Sequence, residues 1–249
     1  MADNPTTHFG FSEIPLNEKV DRVRQVFDSV VDRYDLMNDL MSLGIHRLWK
    51  RFAIRRLRIR PGQKILDVAG GTGDLTRLMH PRLEGNGSII VYDINANMLE
   101  KGRARLTDQG IVTGIEWIQG NAEELPFADN SFDIACIGFG IRNVTQIEAA
   151  IQEMIRVIKP GGTFLCLEFS KISISILQPL YDAYSFKILP ELGQRVANDR
   201  DSYQYLVESI RRFPDQETFA TMLKNNGLSG VRHHNLTGGI AAVHHGWKV

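Results

Sequence analysis

An apolar run that breaks onto three glycines constrains this chain more than any other feature. Ile65 to Val68 has the character of a buried strand, and Ala69, Gly70, Gly71, Thr72 and Gly73 follow it at once. Glycine lets the backbone turn sharply and approach a ligand closely. From Asp74 to Met79 the pattern becomes helical, so the glycines lie between a strand and the first turn of a helix. Free backbone N–H groups at a helix start suit a polar or anionic ligand group. Twenty residues after Gly73, Asp93 ends a second apolar run, Ser88 to Tyr92. A carboxylate at the tip of the second strand is where a doubly wound nucleotide site accepts hydrogen bonds from ribose hydroxyls.

The dinucleotide fingerprint needs a further glycine three residues after Gly73, and Thr76 occupies that position. With Asp67 on the first strand, the pattern resembles the glycine-rich motif of S-adenosylmethionine-dependent methyltransferases. That cofactor has a ribose and a cationic sulfonium but no pyrophosphate. A glycine turn without a ligand would leave Asp93 unexplained.

From Lys64 onward, strands near 64–68, 88–93, 115–119, 132–138 and 162–169 alternate with helices near 73–80, 96–107 and 145–158. Alternation of this kind predicts a parallel sheet with right-handed crossovers. Pro160-Gly161-Gly162 punctuates the chain before the fifth strand. A helix over Pro214 to Asn226 then precedes a hairpin, Val231 to Leu236 and Ile240 to Trp247, around Thr237-Gly238-Gly239. The expected fold is α/β: a seven-stranded, mostly parallel Rossmann-like sheet ending in a C-terminal antiparallel hairpin, as in class I S-adenosylmethionine-dependent methyltransferases. One domain over residues 1–249 accommodates it.

Two segments lie outside this alternation. Residues 1–60 form an N-terminal extension: an irregular arm over 1–18, then a helix carrying Val23, Val26, Phe27, Val30 and Tyr34, then a turn or broken helix from Asp35 to Gly44. Arg47 to Arg60 holds seven basic residues and no acid, which leaves the rest of a chain of zero net charge at −7. Such a run reads as a solvated helix face or as a patch that rests on an anionic membrane surface. Residues 171–213 form an insertion rich in aromatics, among them Tyr181, Tyr184, Phe186, Tyr203, Tyr205 and Phe213. Its expected place above the carboxyl ends of the strands makes it a substrate lid, with Tyr184 and Tyr203 as candidate substrate contacts.

Neutral overall charge favours no nucleic-acid partner. No apolar run approaches the length of a membrane span and no signal-peptide pattern is present, which predicts a cytoplasmic location. Cys136 and Cys166 each lie inside an apolar run and read as core residues. The pairs His233-His234 and His244-His245 point to opposite faces of the hairpin and make no metal clamp, so no metal is expected. His46 stands near the expected rim as a candidate proton carrier.

The third strand runs into Gly120-Asn121-Ala122-Glu123, where Asn121 and the Ala122 N–H can meet an adenine edge. The fourth strand ends in Gly138-Phe139-Gly140-Ile141-Arg142-Asn143, where methyl donor and acceptor should meet. Arg142 and Asn143 are the candidate catalytic residues. Arginine stays protonated and is a poor base, so Arg142 suits the orientation of a water or the stabilisation of a phenolate-like oxygen.

Several longer motifs are narrower than the glycine loop. They are Val26-Phe27-Asp28-Ser29-Val30, Tyr34-Asp35-Leu36-Met37-Asn38-Asp39, Gly44-Ile45-His46-Arg47-Leu48-Trp49-Lys50, Phe139-Gly140-Ile141-Arg142-Asn143 and Asp201-Ser202-Tyr203-Gln204-Tyr205-Leu206. With Tyr181-Asp182-Ala183-Tyr184-Ser185-Phe186, they resemble the ubiquinone/menaquinone biosynthesis C-methyltransferase family over nearly the whole chain. The resemblance implies methylation of a ring carbon of a polyprenylated quinol with S-adenosyl-L-methionine as cofactor. It implies cofactor contacts at Thr72, Asp93, Asn121 and Ala122, beside the loop glycines Gly70, Gly71 and Gly73 already read as cofactor-binding, and at Gly138, where relatives are expected to carry serine. It fits peripheral contact with the inner face of a membrane, and leaves open a homo-oligomer or a larger quinone-biosynthesis assembly. The alternatives are a soluble small-molecule O- or N-methyltransferase and a silent cofactor-binding subunit.

Overall fold

The computed structural model describes residues 6–31, 34–42, 44–173, 178–197 and 199–249. The chain opens with a hairpin of β1 (Thr6–Phe9) and β2 (Ser12–Pro15), which corrects the irregular arm expected there. Two four-residue strands are too short to show a period of two in the sequence. The remainder of that arm, residues 1–5, lies outside the described residues. Three helices follow: α1 (Leu16–Val30), α2 (Tyr34–Ser42) and α3 (His46–Arg56). The stretch from Asp35, expected as a turn or broken helix, is thus mostly helix.

The alternating region comprises β3 (Lys64–Val68), α4 (Asp74–Met79), β4 (Ser88–Asp93), α5 (Ala96–Asp108), β5 (Ile115–Gln119), β6 (Phe132–Gly138), α6 (Ile147–Val157) and β7 (Ile158–Phe169). The insertion holds α7 (Gln178–Ala183), a π-helical turn at Tyr184–Ile188, α8 (Leu189–Ala197) and α9 (Arg200–Arg212); its residues 174–177 lie outside the described residues. The chain closes with α10 (Gln216–Asn225), β8 (Leu228–Leu236) and β9 (Ala241–Lys248).

Seven strands pair in the order β5-β4-β3-β6-β7-β9-β8. The first five are mutually parallel, while β9 runs antiparallel to both β7 and β8. β7 begins earlier than the sequence suggested. Ile158 already pairs with Phe132, and Pro160-Gly161-Gly162 bulges out before Thr163 pairs with Ile134.

Side chains alternate between two cores, one on each sheet face. Ile65, Ile89, Cys136 and Leu167 face α1, α3, α4 and α9; Leu66, Val68, Ile90 and Cys166 face α6 and α10. The two cysteines are therefore free, buried and on opposite faces. Strand order reverses between β3 and β6, so the crevice at their carboxyl ends is the topological switch point where ligands bind in such sheets.

Candidate active site

The glycine loop leaves β3 at the switch point. Gly71 adopts φ 52° and Gly73, which caps α4, φ 74°, a region side chains rarely enter. That turn aims the Gly71 N–H at Asp93 Oδ2, 2.8 Å away, across the gap to the tip of β4. The other Asp93 oxygen accepts from the Asn95 N–H at 2.8 Å. Burial nevertheless wins over these donors and pushes the Asp93 carboxyl up to about 6. Behind the loop, buried Asp67 accepts from the Thr76 N–H and hydroxyl, at 3.2 and 2.7 Å, and is likewise pushed up to about 6 by burial.

A continuous cavity of about 770 Å³, mouth included, opens in front of Asp93. Its floor is Ala69, Gly71, Tyr92, Ile94 and Met98, and one wall is Gly120, Asn121 and Ala122. Asn121 Oδ1 accepts from the Glu123 N–H at 3.0 Å, which fixes that loop. Glu123 in turn accepts from the Thr145 N–H at 3.0 Å, tying the wall to the segment after β6. The roof is α1, through Val20, Val23, Arg24 and Phe27. It is tethered at both ends. Lys19 Nζ donates to the Val144 carbonyl at 3.0 Å, and Asp28 accepts from the amides of Asn95 and Asn97, each at 2.9 Å.

After β6, the cavity is lined by Phe139, Gly140, Asn143, Val144 and Thr145, with Asn143 ending the Ile141–Asn143 turn. Asn143 is 8% exposed. Asn143 Oδ1 accepts from the Tyr205 hydroxyl at 3.1 Å, whereas its buried Nδ2 has no partner among the described residues. Arg142 stands one residue behind the wall. Its Nη1 donates to Glu168 Oε1 at 2.8 Å and to the Phe139 carbonyl at 2.6 Å, and its Nε to Ser209 Oγ at 3.3 Å. Glu168 is also buried, which raises its pKa against the pull of the guanidinium.

The cavity thus brings the Asp93 carboxylate and the Asn143 amide into one lining. A profile of the ubiE/COQ5 methyltransferase family matches residues 16–248. The chain belongs to that family. A Coxiella burnetii protein named ubiquinone/menaquinone biosynthesis C-methyltransferase UbiE is 56% identical over 98% of this chain and 97% of its own length. A Legionella pneumophila protein of the same name is 55% identical over the same shares. Among solved structures, a SAM-dependent methyltransferase of Thermotoga maritima superposes with a TM-score of 0.64 at 19% identity, over 91% of this chain and 100% of that one. Another from Aquifex aeolicus gives 0.60 at 14%, over 86% and 97%. These two show the class I methyltransferase fold.

Set against this family fold, Gly71, Asp93, Asn121, Ala122 and Asn143 meet around one cavity. Other expected residues do not line it. A side chain on Gly70 would run into Val91, one on Gly73 into Trp117 and one on Gly138 into Leu75, so none of the three has room for one. Thr72 is buried, with its carbonyl accepting from Arg105 Nη2 at 2.7 Å and its hydroxyl unbonded among the described residues. Arg142, placed by its neighbours in sequence at the meeting point of donor and acceptor, is turned inward to Glu168. Tyr203 is wholly buried with its ring against Gly193, and the Tyr184 hydroxyl donates to the Leu40 carbonyl. His46 is buried beside Asp39, 2.9 Å from its carboxylate, in a separate cleft with Lys50 and Asp74.

Two parts of the site escaped the sequence reading. The apolar stripe of α1 looks the same whether it covers a core or a cavity. Glu168, a lone acid closing the apolar run of β7, was the visible sign of a buried partner for Arg142.

Proposed function

We propose that the chain transfers a methyl group from S-adenosyl-L-methionine to a ring carbon of a polyprenylated quinol in menaquinone or ubiquinone biosynthesis. The acceptor is demethylmenaquinol, 2-methoxy-6-polyprenyl-benzoquinol, or both. The observation that carries this reading is the single cavity running from Asp93 to Asn143, in a chain 56% identical to a protein of that name.

When bound, the cofactor supplies an electrophilic methyl group on a cationic sulfur. Asp93 accepts from the ribose hydroxyls, and the wall of Gly120, Asn121 and Ala122 takes the adenine. The roof formed by Val20, Val23 and Phe27 excludes water, which a displacement at carbon requires. Asn143 Nδ2 donates to the ring oxygen beside the carbon that reacts, and so holds that carbon in line. A quinone ring is electron-poor and repels an electrophile, whereas a quinol pushes density from its hydroxyl onto the neighbouring carbon. The donor at Asn143 favours the negative charge that this oxygen takes on when its hydroxyl loses its proton, the form that pushes density most strongly; after the methyl group has moved, the proton of the methylated carbon is lost to solvent and the ring is aromatic again. Arg142, neutralised by Glu168, acts on the same oxygen only through the turn it braces.

The proposed membrane contact is the exposed basic face of α3 and the segment after it: Arg47, Arg51, Arg55, Arg56, Arg58 and Arg60. Lys50 is not part of it, because it is buried in an ion pair with Asp74 at 2.5 Å. Among the described residues, no helix is long and apolar enough to cross a membrane.

Mass spectrometry of the quinones in cells lacking the protein tests the function. Accumulation of the demethylated ring is expected; a normal quinone profile would contradict it.

A further inference from the structure

The amide of Asn143 has two ends of nearly equal shape, and only one of them is a donor. Its use at the cavity wall depends on which end faces inward. Among the described residues, the only polar group that addresses this amide is the Tyr205 hydroxyl, 3.1 Å from Oδ1. Tyr205 is 4% exposed, and burial raises its pKa well above the usual tyrosine value. The phenol therefore keeps its proton, and Asn143 Oδ1 is the one acceptor it meets among the described residues. Were the amide reversed, Nδ2 would face that hydroxyl, the buried phenol proton would lose its acceptor, and Oδ1 would face the cavity. In the observed orientation the phenol proton has its acceptor and Nδ2 is the donor left over, so both groups are satisfied once a ligand oxygen meets Nδ2, whereas the reversed amide would leave the phenol proton unpaired and set Oδ1 against that oxygen. The Tyr205 ring is itself held from behind by Phe9, stacked with centroids 4.2 Å apart and planes inclined by 19°.

We infer that Tyr205 is a positioning residue for methyl transfer: it fixes the Asn143 amide with its donor end toward the acceptor ring, and Phe9 of the β1-β2 hairpin fixes Tyr205. The N-terminal hairpin, which precedes the residues matched by the family profile, thereby becomes a support of the acceptor end. This inference rests on the reading of Asn143 as the group that meets the substrate.

The experiment measures turnover of a short-chain demethylmenaquinol, kept reduced with dithionite, in Tyr205→Phe, Asn143→Ala and the double variant, with folding checked by circular dichroism. Asn143→Ala should lower kcat about a hundredfold, the usual effect of losing one preorganised donor. Tyr205→Phe should lower kcat about fivefold, the worth of one neutral hydrogen bond, and leave the KM for S-adenosylmethionine unchanged. In the Asn143→Ala background, Tyr205→Phe should have no further effect. A merely structural tyrosine would lower kcat by the same factor in both backgrounds, and that result overturns the inference, as does full kcat in Tyr205→Phe. Full activity in Asn143→Ala overturns the underlying reading as well. If Tyr205→Phe does not fold, Phe9→Leu gives the same test: a fall in kcat that vanishes in the Asn143→Ala background supports the inference, and one that persists overturns it.

Discussion

Arg142 and Glu168 face each other inside the protein, with Nη1 and Oε1 2.8 Å apart and side chains 3% and 2% exposed. Removing one partner of a buried pair strands the other charge. Arg142→Ala should therefore destabilise the fold by about 3–5 kcal/mol, besides any effect on rate. Changing both residues together, Arg142→Met with Glu168→Gln, should recover much of that loss. Denaturant melts of the three proteins check it; additive losses would show that the two side chains do not act as a pair.

With Asp93 as the proposed ribose contact, cofactor binding should depend on pH. Ribose hydroxyls donate to the ionised carboxylate, so binding favours the deprotonated form. With the free protein's carboxyl pushed up to about 6, cofactor affinity should fall as pH drops below that value and level off above it. Asp93→Ala should weaken binding by roughly 1.5–3 kcal/mol at neutral pH and remove most of this dependence. Calorimetry across pH 5 to 8 provides the readout, and an unchanged affinity in Asp93→Ala would take this carboxylate out of the site.

Much of the fold was legible because it repeats. Apolar runs ending at Asp93, Gln119 and Gly138, each followed by a polar loop, name a parallel sheet and its ligand-binding edge. Asp93 and Asn121 could be placed from sequence because strand tips have one address in this topology. The inward turn of Arg142 could not, since its partner lies 26 residues away on the next strand. Nor could the roof: the inner face of α1 is apolar as any core helix is. The aromatic insertion misled for the same reason, because Tyr203 packs on Gly193 as an ordinary core ring does.

The tethers of α1 predict how the cofactor leaves. Asp28 holds the roof to Asn95 and Asn97, and losing a hydrogen bond to a charged group costs about 1.5 kcal/mol or more. Asp28→Ala should release bound S-adenosylmethionine about tenfold faster in stopped-flow fluorescence. An unchanged release rate would mean that α1 does not gate the cavity.

Exposed arginines from Arg47 to Arg60 should draw the protein to anionic lipid, at about 1 kcal/mol per engaged charge. Co-sedimentation with phosphatidylglycerol vesicles should exceed that with phosphatidylcholine and fade with salt. Arg51→Glu with Arg55→Glu should abolish the difference; equal sedimentation with both lipids would mark this face as merely solvated.

Carbon, in a reduced ring, should receive the methyl group. This is tested most directly by incubating the protein with CD3-labelled S-adenosylmethionine and a short-chain demethylmenaquinone, oxidised or dithionite-reduced, and locating the label by fragmentation. Label is expected on the ring carbon of the reduced substrate, and almost none with the oxidised one. Label on oxygen, or equal rates with the two redox forms, would contradict it.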